Sequence, residues 1–274
     1  MPYDDDENSE GAVKETIKAV TDLVKEVPVY EDAIQPVAKE TGKALETVGK
    51  AVNAALIPVK GLVWGVEKIE KFVKTKVTGK LKNVPEENIQ SPDPSVAGPA
   101  LESLRYTGHK ETLSDLYASL LATSMDSNTA KNAHPGFVEI IRNMSSDEAK
   151  IIKYLIAYDT GQPVINIRKK IPSLGGGITL HKYVSFIGKN SGCENLDLTP
   201  SYYDNLIRLG LINIPSGKEL KAKDIYKPLL TDAWVVQIRK EIDELEDSES
   251  EIEQTYIEVT ELGKLFSQAC VIQK

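Results

Sequence analysis

Apolar residues recur every three or four positions through most of the chain, which predicts a mainly α fold. Val13, Ile17, Val20, Leu23 and Val24 mark an amphipathic helix over 11–27 that Pro28 stops. From 30 to 57 the helical period continues on small residues such as Ala33, Ala38, Gly42, Ala44, Gly49 and Ala51, with Pro36 and Pro58 as expected kinks. Residues 11–83 therefore read as one small-residue-rich, amphipathic helical region. Four prolines at 85, 92, 94 and 99 then break the period, so 84–99 reads as a linker. A helical core is expected over 100–160. Its first stripe is Leu101, Leu104, Leu113, Leu116, Tyr117, Leu120 and Leu121, with a break near Thr107 and Gly108. His134 and Pro135 open a helix carrying Phe137, Val138, Ile140 and Ile141, and Ser145 with Glu148 forms a capping box for the next helix, 146–158.

Past residue 160 the pattern changes. Val164 to Ile167 alternates like a short strand, and Gly175, Gly176 and Gly177 make a turn. Tyr202, Leu206, Ile207 and Leu209 form a helix closed by Gly210, strands follow at Leu211–Ile214 and Tyr256–Val259, and Thr260 caps a last helix. Helix, helix, strand, strand, helix predicts a winged-helix-like α+β region over 161–274. Residues 215–255 would be an insertion with a helix of its own, striped by Trp234, Ile238, Ile242 and Leu245.

A length of 274 residues allows two modest domains, and a charged fraction of 27% is ordinary for a globular protein. The first ten residues hold five acids and no base, which predicts a disordered acidic tail over 1–10 and argues against a secretory signal. Cys193 and Cys270 are too few for a disulfide framework and read as small buried apolar residues of a reducing compartment, so a cytoplasmic protein is expected.

Charge changes the picture locally. Ala51–Val66 holds one charge, Lys60, but its sixteen residues fall short of the ~20 a helix needs to span a bilayer. From Lys60 to Lys82 the net charge is +5. An apolar run leading into a basic amphipathic helix fits an anionic membrane surface, with Leu62, Val63, Trp64, Lys68 and Lys71 as contacts and a peripheral place at the inner membrane. The alternatives are a packed helical hairpin with solvated lysines and a membrane-inserting toxin built on 51–82.

No catalytic, cofactor or metal residues can be assigned. His109, His134 and His181 stand apart, no C-x-x-C pair exists, and no G-x-S-x-G elbow is present. The three glycines lack the spacing of a phosphate loop. Asp126 reads as a turn residue, and Arg168, Lys169 and Lys170 as a solvated strand end. A winged helix invites a DNA-binding reading, but Arg208 is the one base on the recognition helix, and Lys240 to Glu258 carries a net charge of −8. Protein docking or self-association fits better, with Trp234, Ile238 and Ile242 as the docking stripe.

The middle of the chain resembles a known family. Gly98-Pro99-Ala100-Leu101-Glu102-Ser103-Leu104-Arg105-Tyr106 opens the block. Leu113, Leu116-Tyr117-Ala118, Leu120-Leu121-Ala122 and Ser124-Met125-Asp126 continue it, followed by His134-Pro135-Gly136-Phe137-Val138-Glu139-Ile140-Ile141 and then Ser145, Asp147-Glu148-Ala149-Lys150-Ile151-Ile152. This run is similar to the Abi-alpha (abortive-infection alpha) family of bacterial proteins, and with its flanks the resemblance spans about 30–270. It implies a phage-defence role through protein or membrane contact, and it brings no catalytic residue to carry over. Pro99 and Pro135 fit as first-turn prolines of their helices.

Overall fold

The computed structural model describes residues 63–158 and 160–272. The acidic tail 1–10, the helices expected between 11 and 57, and Leu62 lie outside the described residues. The chain divides into two compact units, one of Met1–Arg142 with Ile272–Lys274 and one of Asn143–Val271. The expected core 100–160 thus spans the division, and the capping-box helix belongs to the second unit.

In the first unit, helix α1 (Val66–Phe72) runs through a π-helical turn at Val73–Val77 into a final α turn at Thr78–Lys80. The buried positions explain the wide turn. Ile69, Phe72, Val77 and Leu81 face inward, and the step of five from Phe72 to Val77 is too long for α geometry and natural for i→i+5. Helix α2 (Pro94–Thr107) starts inside the stretch expected as a linker. Asp93 caps it, accepting from Ser95 N at 2.8 Å, with Pro94 in the first turn. Pro99 is therefore an interior helix residue, not a first-turn one. The rest of the proline-rich stretch is tied down: Gln90 N donates to Met125 O and Ser127 N to Asn88 O, each at 2.8 Å.

The chain does break at Gly108, and α3 (Glu111–Met125) follows as the most buried helix of this unit, with Leu113, Leu116, Tyr117 and Leu120 inaccessible. Asp126 ends it in a turn, accepting from Asn128 N at 3.0 Å. Helix α4 (Gly136–Arg142) adds Phe137, Val138 and Ile141, and Tyr117 donates its hydroxyl to Val138 O at 3.4 Å.

The second unit opens with α5 (Ser146–Ile156). The expected box is present: Glu148 N donates to Ser145 Oγ at 3.2 Å and Ser145 N to Glu148 Oε2 at 2.5 Å. A hairpin of β1 (Gln162–Ile171) and β2 (Gly176–Val184) follows, turned by Gly175 at φ 60°. Next come α6 (Ile187–Asn190), α7 (Thr199–Arg208), β3 (Ile212–Asn213), α8 (Lys227–Leu230), α9 (Ala233–Asp243), β4 (Glu249–Val259) and α10 (Glu261–Cys270). The strands form one antiparallel sheet in the order β2-β1-β4-β3.

Three expectations change here. β1 is ten residues long, β2 was not foreseen, and β4 begins at Glu249, inside the segment assigned to an insertion. Charge explains the last. Arg168 lies opposite Glu251 and Lys170 opposite Glu249, and Lys170 Nζ and Arg168 Nη1 reach Glu251 carboxylate oxygens at 2.8 and 3.3 Å. The acidic run is thus the cross-strand partner of the basic run, and Arg168 and Lys170 are paired rather than merely solvated. Ile165 and Ile167 pack beneath the sheet with Tyr226, Leu229, Val235 and Ile242. Cys270 is buried, but Cys193 is only half-buried, because it sits on a surface turn after α6.

Candidate functional site

Along β2 the side chains alternate: Ile178, Leu180 and Lys182 are exposed, while Thr179, His181 and Tyr183 are partly covered. Residues 179–184, from both faces of the strand, form one wall of a groove of about 950 Å³. Phe186 and Gly188 form its floor, Leu196, Asp197, Thr199 and Pro200 the opposite wall, and Trp234 one end. Val184 and Phe186 rest on the sheet core, which anchors that wall.

Two local arrangements shape the wall. Pairing of β1 with β2 shifts on both sides of Ile167, and Tyr183 takes a left-handed backbone at φ 58°. A tyrosine there is strained. The Asn166 carboxamide holds it in place, accepting from Tyr183 N at 2.9 Å while donating to Glu253 at 3.1 Å. Tyr203, fully buried on α7, shares a 2.8 Å hydrogen bond with Ser185, and burial pushes its phenol far above the usual range, so it stays neutral.

The opposite wall is fixed by Asp147, the second helical residue of α5. The residue is 4% exposed. It accepts from Glu194 N at 3.0 and 3.1 Å, from Asn195 N at 3.1 Å, from Tyr202 Oη at 3.3 Å and from Lys150 Nζ at 3.0 Å. Burial alone would raise its pKa. The two amides and the Lys150 ammonium outweigh that and hold it at about 2. Asp147 therefore clamps residues 194–195 and sets the course of Leu196–Leu198 along the groove. Glu148, the capping partner, also accepts from Asn205 Nδ2 at 2.6 Å and so ties α5 to α7.

At the end of the groove, Asp232 caps α9 by accepting from Trp234 N at 3.0 Å and Val235 N at 3.3 Å. The Trp234 ring meets His181 edge-on, with centroids 5.0 Å apart. Trp234, Leu196 and Leu198 are each about half exposed, and the Lys182 and Lys189 ammonium groups border the groove with Asp197. Such a site can hold an apolar or aromatic side chain against Trp234 and fix an adjacent carboxylate at its lysines.

The residues singled out in the sequence separate. Of the docking stripe, Ile242 is buried in the unit's own core and Ile238 packs against that core. Trp234 alone keeps an open face, because α9 turns its stripe into the sheet. In the first unit Lys68 and Lys71 are exposed on α1, and Val63 is 37% exposed. Trp64 is held: its amide donates to Arg105 O at 2.7 Å, its ring lies 5.6 Å from Phe72, and it packs over Gly108. Among the described residues no helix is long and apolar enough to cross a membrane, and no group of three or more His, Cys, Asp or Glu is placed to hold a metal ion. Sequence reading missed the roles of Asn166, Tyr183, Lys182 and Lys189: Asn166 sat in the alternation of 164–167, Lys182 and Tyr183 in the one after Gly177, and Lys189 carried no linear signal. On α7, Tyr202, Tyr203 and Leu206 face inward, and Arg208 is spent on Asn205 Oδ1 at 2.7 and 2.9 Å.

No curated protein and no solved structure matches the chain significantly. The sequence profile described as Abortive infection alpha matches residues 65–270, which include both the first-unit helices and the whole groove. The chain belongs to the abortive infection alpha family.

Proposed function

We propose that the protein defends bacteria against phage by abortive infection, without catalysis of its own, through a protein segment docked in the groove between β2 and Trp234. Family membership supports the defence role. The observation that carries the docking reading is Trp234 itself, half exposed and braced by His181 at the mouth of an apolar groove. Aromatic anchors of this kind dominate the energy of protein contacts. The second unit reads as a winged-helix-like module used for docking: α5, β1, α7, β3 and β4 follow in that order, and β4 lies between β1 and β3. Arg208 is the one base on α7, so α7 offers phosphate a single positive charge, which favours protein over nucleic acid.

The test is plaque formation on bacteria expressing the full chain. Wild type is expected to lower plating of at least one phage in a broad panel by tenfold or more. Leu196→Asp with Trp234→Asp is expected to lose that protection at equal soluble level. Full protection by the double variant would sink the groove, and no protection by wild type would sink the defence role.

A second reading rests on α1 and its extension, where Lys68, Lys71, Lys74 and Lys82 are all exposed. Such a row supports peripheral attachment to an anionic bilayer in the cytoplasm, worth about 1 kcal/mol per lysine near the surface. Flotation with phosphatidylglycerol vesicles, lost in Lys68→Glu with Lys71→Glu, is the expected result. Insertion of the 51–82 segment is a weaker form of this reading, since Trp64 would first have to leave Gly108 and Phe72.

A further inference from the structure

We infer that two copies of the chain pair through the free edges of their β2 strands, forming one continuous antiparallel sheet across a two-fold axis at Thr179. β2 is the outermost strand of the sheet, and among the described residues its backbone bonds to a neighbouring strand on the β1 side alone. An edge strand of nine residues is a ready template for pairing. Protected edges usually carry lysines, prolines, bulges or a covering helix, and here Lys182 and the register shifts about Ile167 guard only the C-terminal end of the strand. The rest exposes Ile178 at 54%, Leu180 at 42% and, in the adjoining turn, Leu174 at 76%.

The sequence of the strand selects its own copy as the occupant. In an antiparallel pair centred on Thr179, Ile178 of each copy stands opposite Leu180 of the other, on the same face, so both exposed apolar residues are covered twice over. Lys182 then falls opposite Gly176, and His181 opposite Gly177. No like charges meet, and the glycines leave room for the long side chains. Moving the axis to Leu180 would set Lys182 against Ile178. Moving it to Ile178 would set Leu180 against Gly176. Charge points the same way. Each copy carries a net charge of −8, and Gly176–Val184 contains no acid, so the copies meet where repulsion is least. Such a two-fold contact is closed and gives a dimer rather than a fibre. Leu180 and Lys182 also line the groove, so the two readings are separated by their tests: sedimentation reads the strand pairing, and the Leu196 and Trp234 variant reads the docking.

Sedimentation equilibrium of the full chain, up to about 100 µM, is expected to approach twice the 30.1 kDa chain mass. Ile178→Lys with Leu180→Lys, folded by far-ultraviolet circular dichroism, should sediment as a monomer. In a Cys193→Ser background, Thr179→Cys should form an intermolecular disulfide under mild oxidation and Lys182→Cys should not, since residue 179 alone meets itself across the axis. A monomeric wild type, a dimer that survives the double lysine variant, or preferential cross-linking at 182 would each overturn the inference.

Discussion

Asp147→Ala is expected to destabilise the C-terminal unit by about 3 kcal/mol, a large fraction of the stability of a domain this size. The carboxylate is the shared acceptor for two backbone amides, a tyrosine hydroxyl and a lysine. Truncation removes the acceptor of the Glu194 and Asn195 amides, although Lys150 keeps Glu194 Oε1 at 3.1 Å, and donors left buried without a partner cost more than the net worth of the bonds themselves. In a Trp64→Phe background, Trp234 reports on this unit alone during urea unfolding. A loss under 1 kcal/mol would show that the clamp is incidental. The same carboxylate gives a pH signature. Its folded pKa of about 2 lies below the ordinary 3.8, so the stabilisation is complete above pH 4 and is lost as pH falls from about 4 towards 2. Its size is roughly 2–3 kcal/mol. Wild type should therefore weaken over that range by more than Asp147→Ala does, and parallel curves would contradict the assignment.

Gly263→Ala is the second large effect, with an expected cost of about 2–4 kcal/mol. An alanine in a helix normally stabilises it by up to about 1 kcal/mol relative to glycine. Here the sign reverses. A Cβ at 263 would strike the Leu211 carbonyl oxygen and sit 2.7 Å from Val259 Cγ1. The neighbours cannot withdraw: Thr260 N donates to that same carbonyl at 3.0 Å, and Thr260 Oγ1 accepts from Gly263 N at 2.9 Å while donating to Gly210 O. Close approach of α10 to β3 is thus what lets one threonine cap the helix and join it to the sheet. Gly79→Ala, where nothing lies within 4 Å of the added carbon, is the control and should be neutral or stabilising. Thermal melts that rank the two alike would remove the argument.

The parts of this fold that were legible in the sequence are those fixed by neighbours along the chain. The capping box at Ser145, the break at Gly108 and the stripe of α3 each depend on residues within four or five positions. What escaped depends on distant partners. β2 alternates, but its apolar residues point outward, so the pattern gave no inward face to recognise. The start of β4 is a run of acids that becomes a strand only because β1 brings Arg168 and Lys170 alongside it. Asp147 looks like an ordinary first-turn acid, and its partners lie 47 to 55 residues further on. Asp93 and Pro94 did carry a start signal for α2, but four prolines in one stretch hid it. Half of the groove followed the same rule: Trp234 stood out, while Tyr183 and Asn166 matter through a backbone bond that no linear pattern announces.

The π-helical turn in the first unit has a consequence for how this protein tolerates change in length. A wide turn is an α-helix with one residue too many, and here that residue separates Phe72 from Val77. Deleting Thr75, an exposed residue whose hydroxyl merely back-bonds to Lys71 O at 2.8 Å, would bring Ile69, Phe72, Val77 and Leu81 into ordinary α spacing. A one-residue deletion inside a helix usually rotates everything after it out of phase. At this point it should leave the protein folded, whereas the same cut two turns into α3 should not. The turn is a built-in slack link.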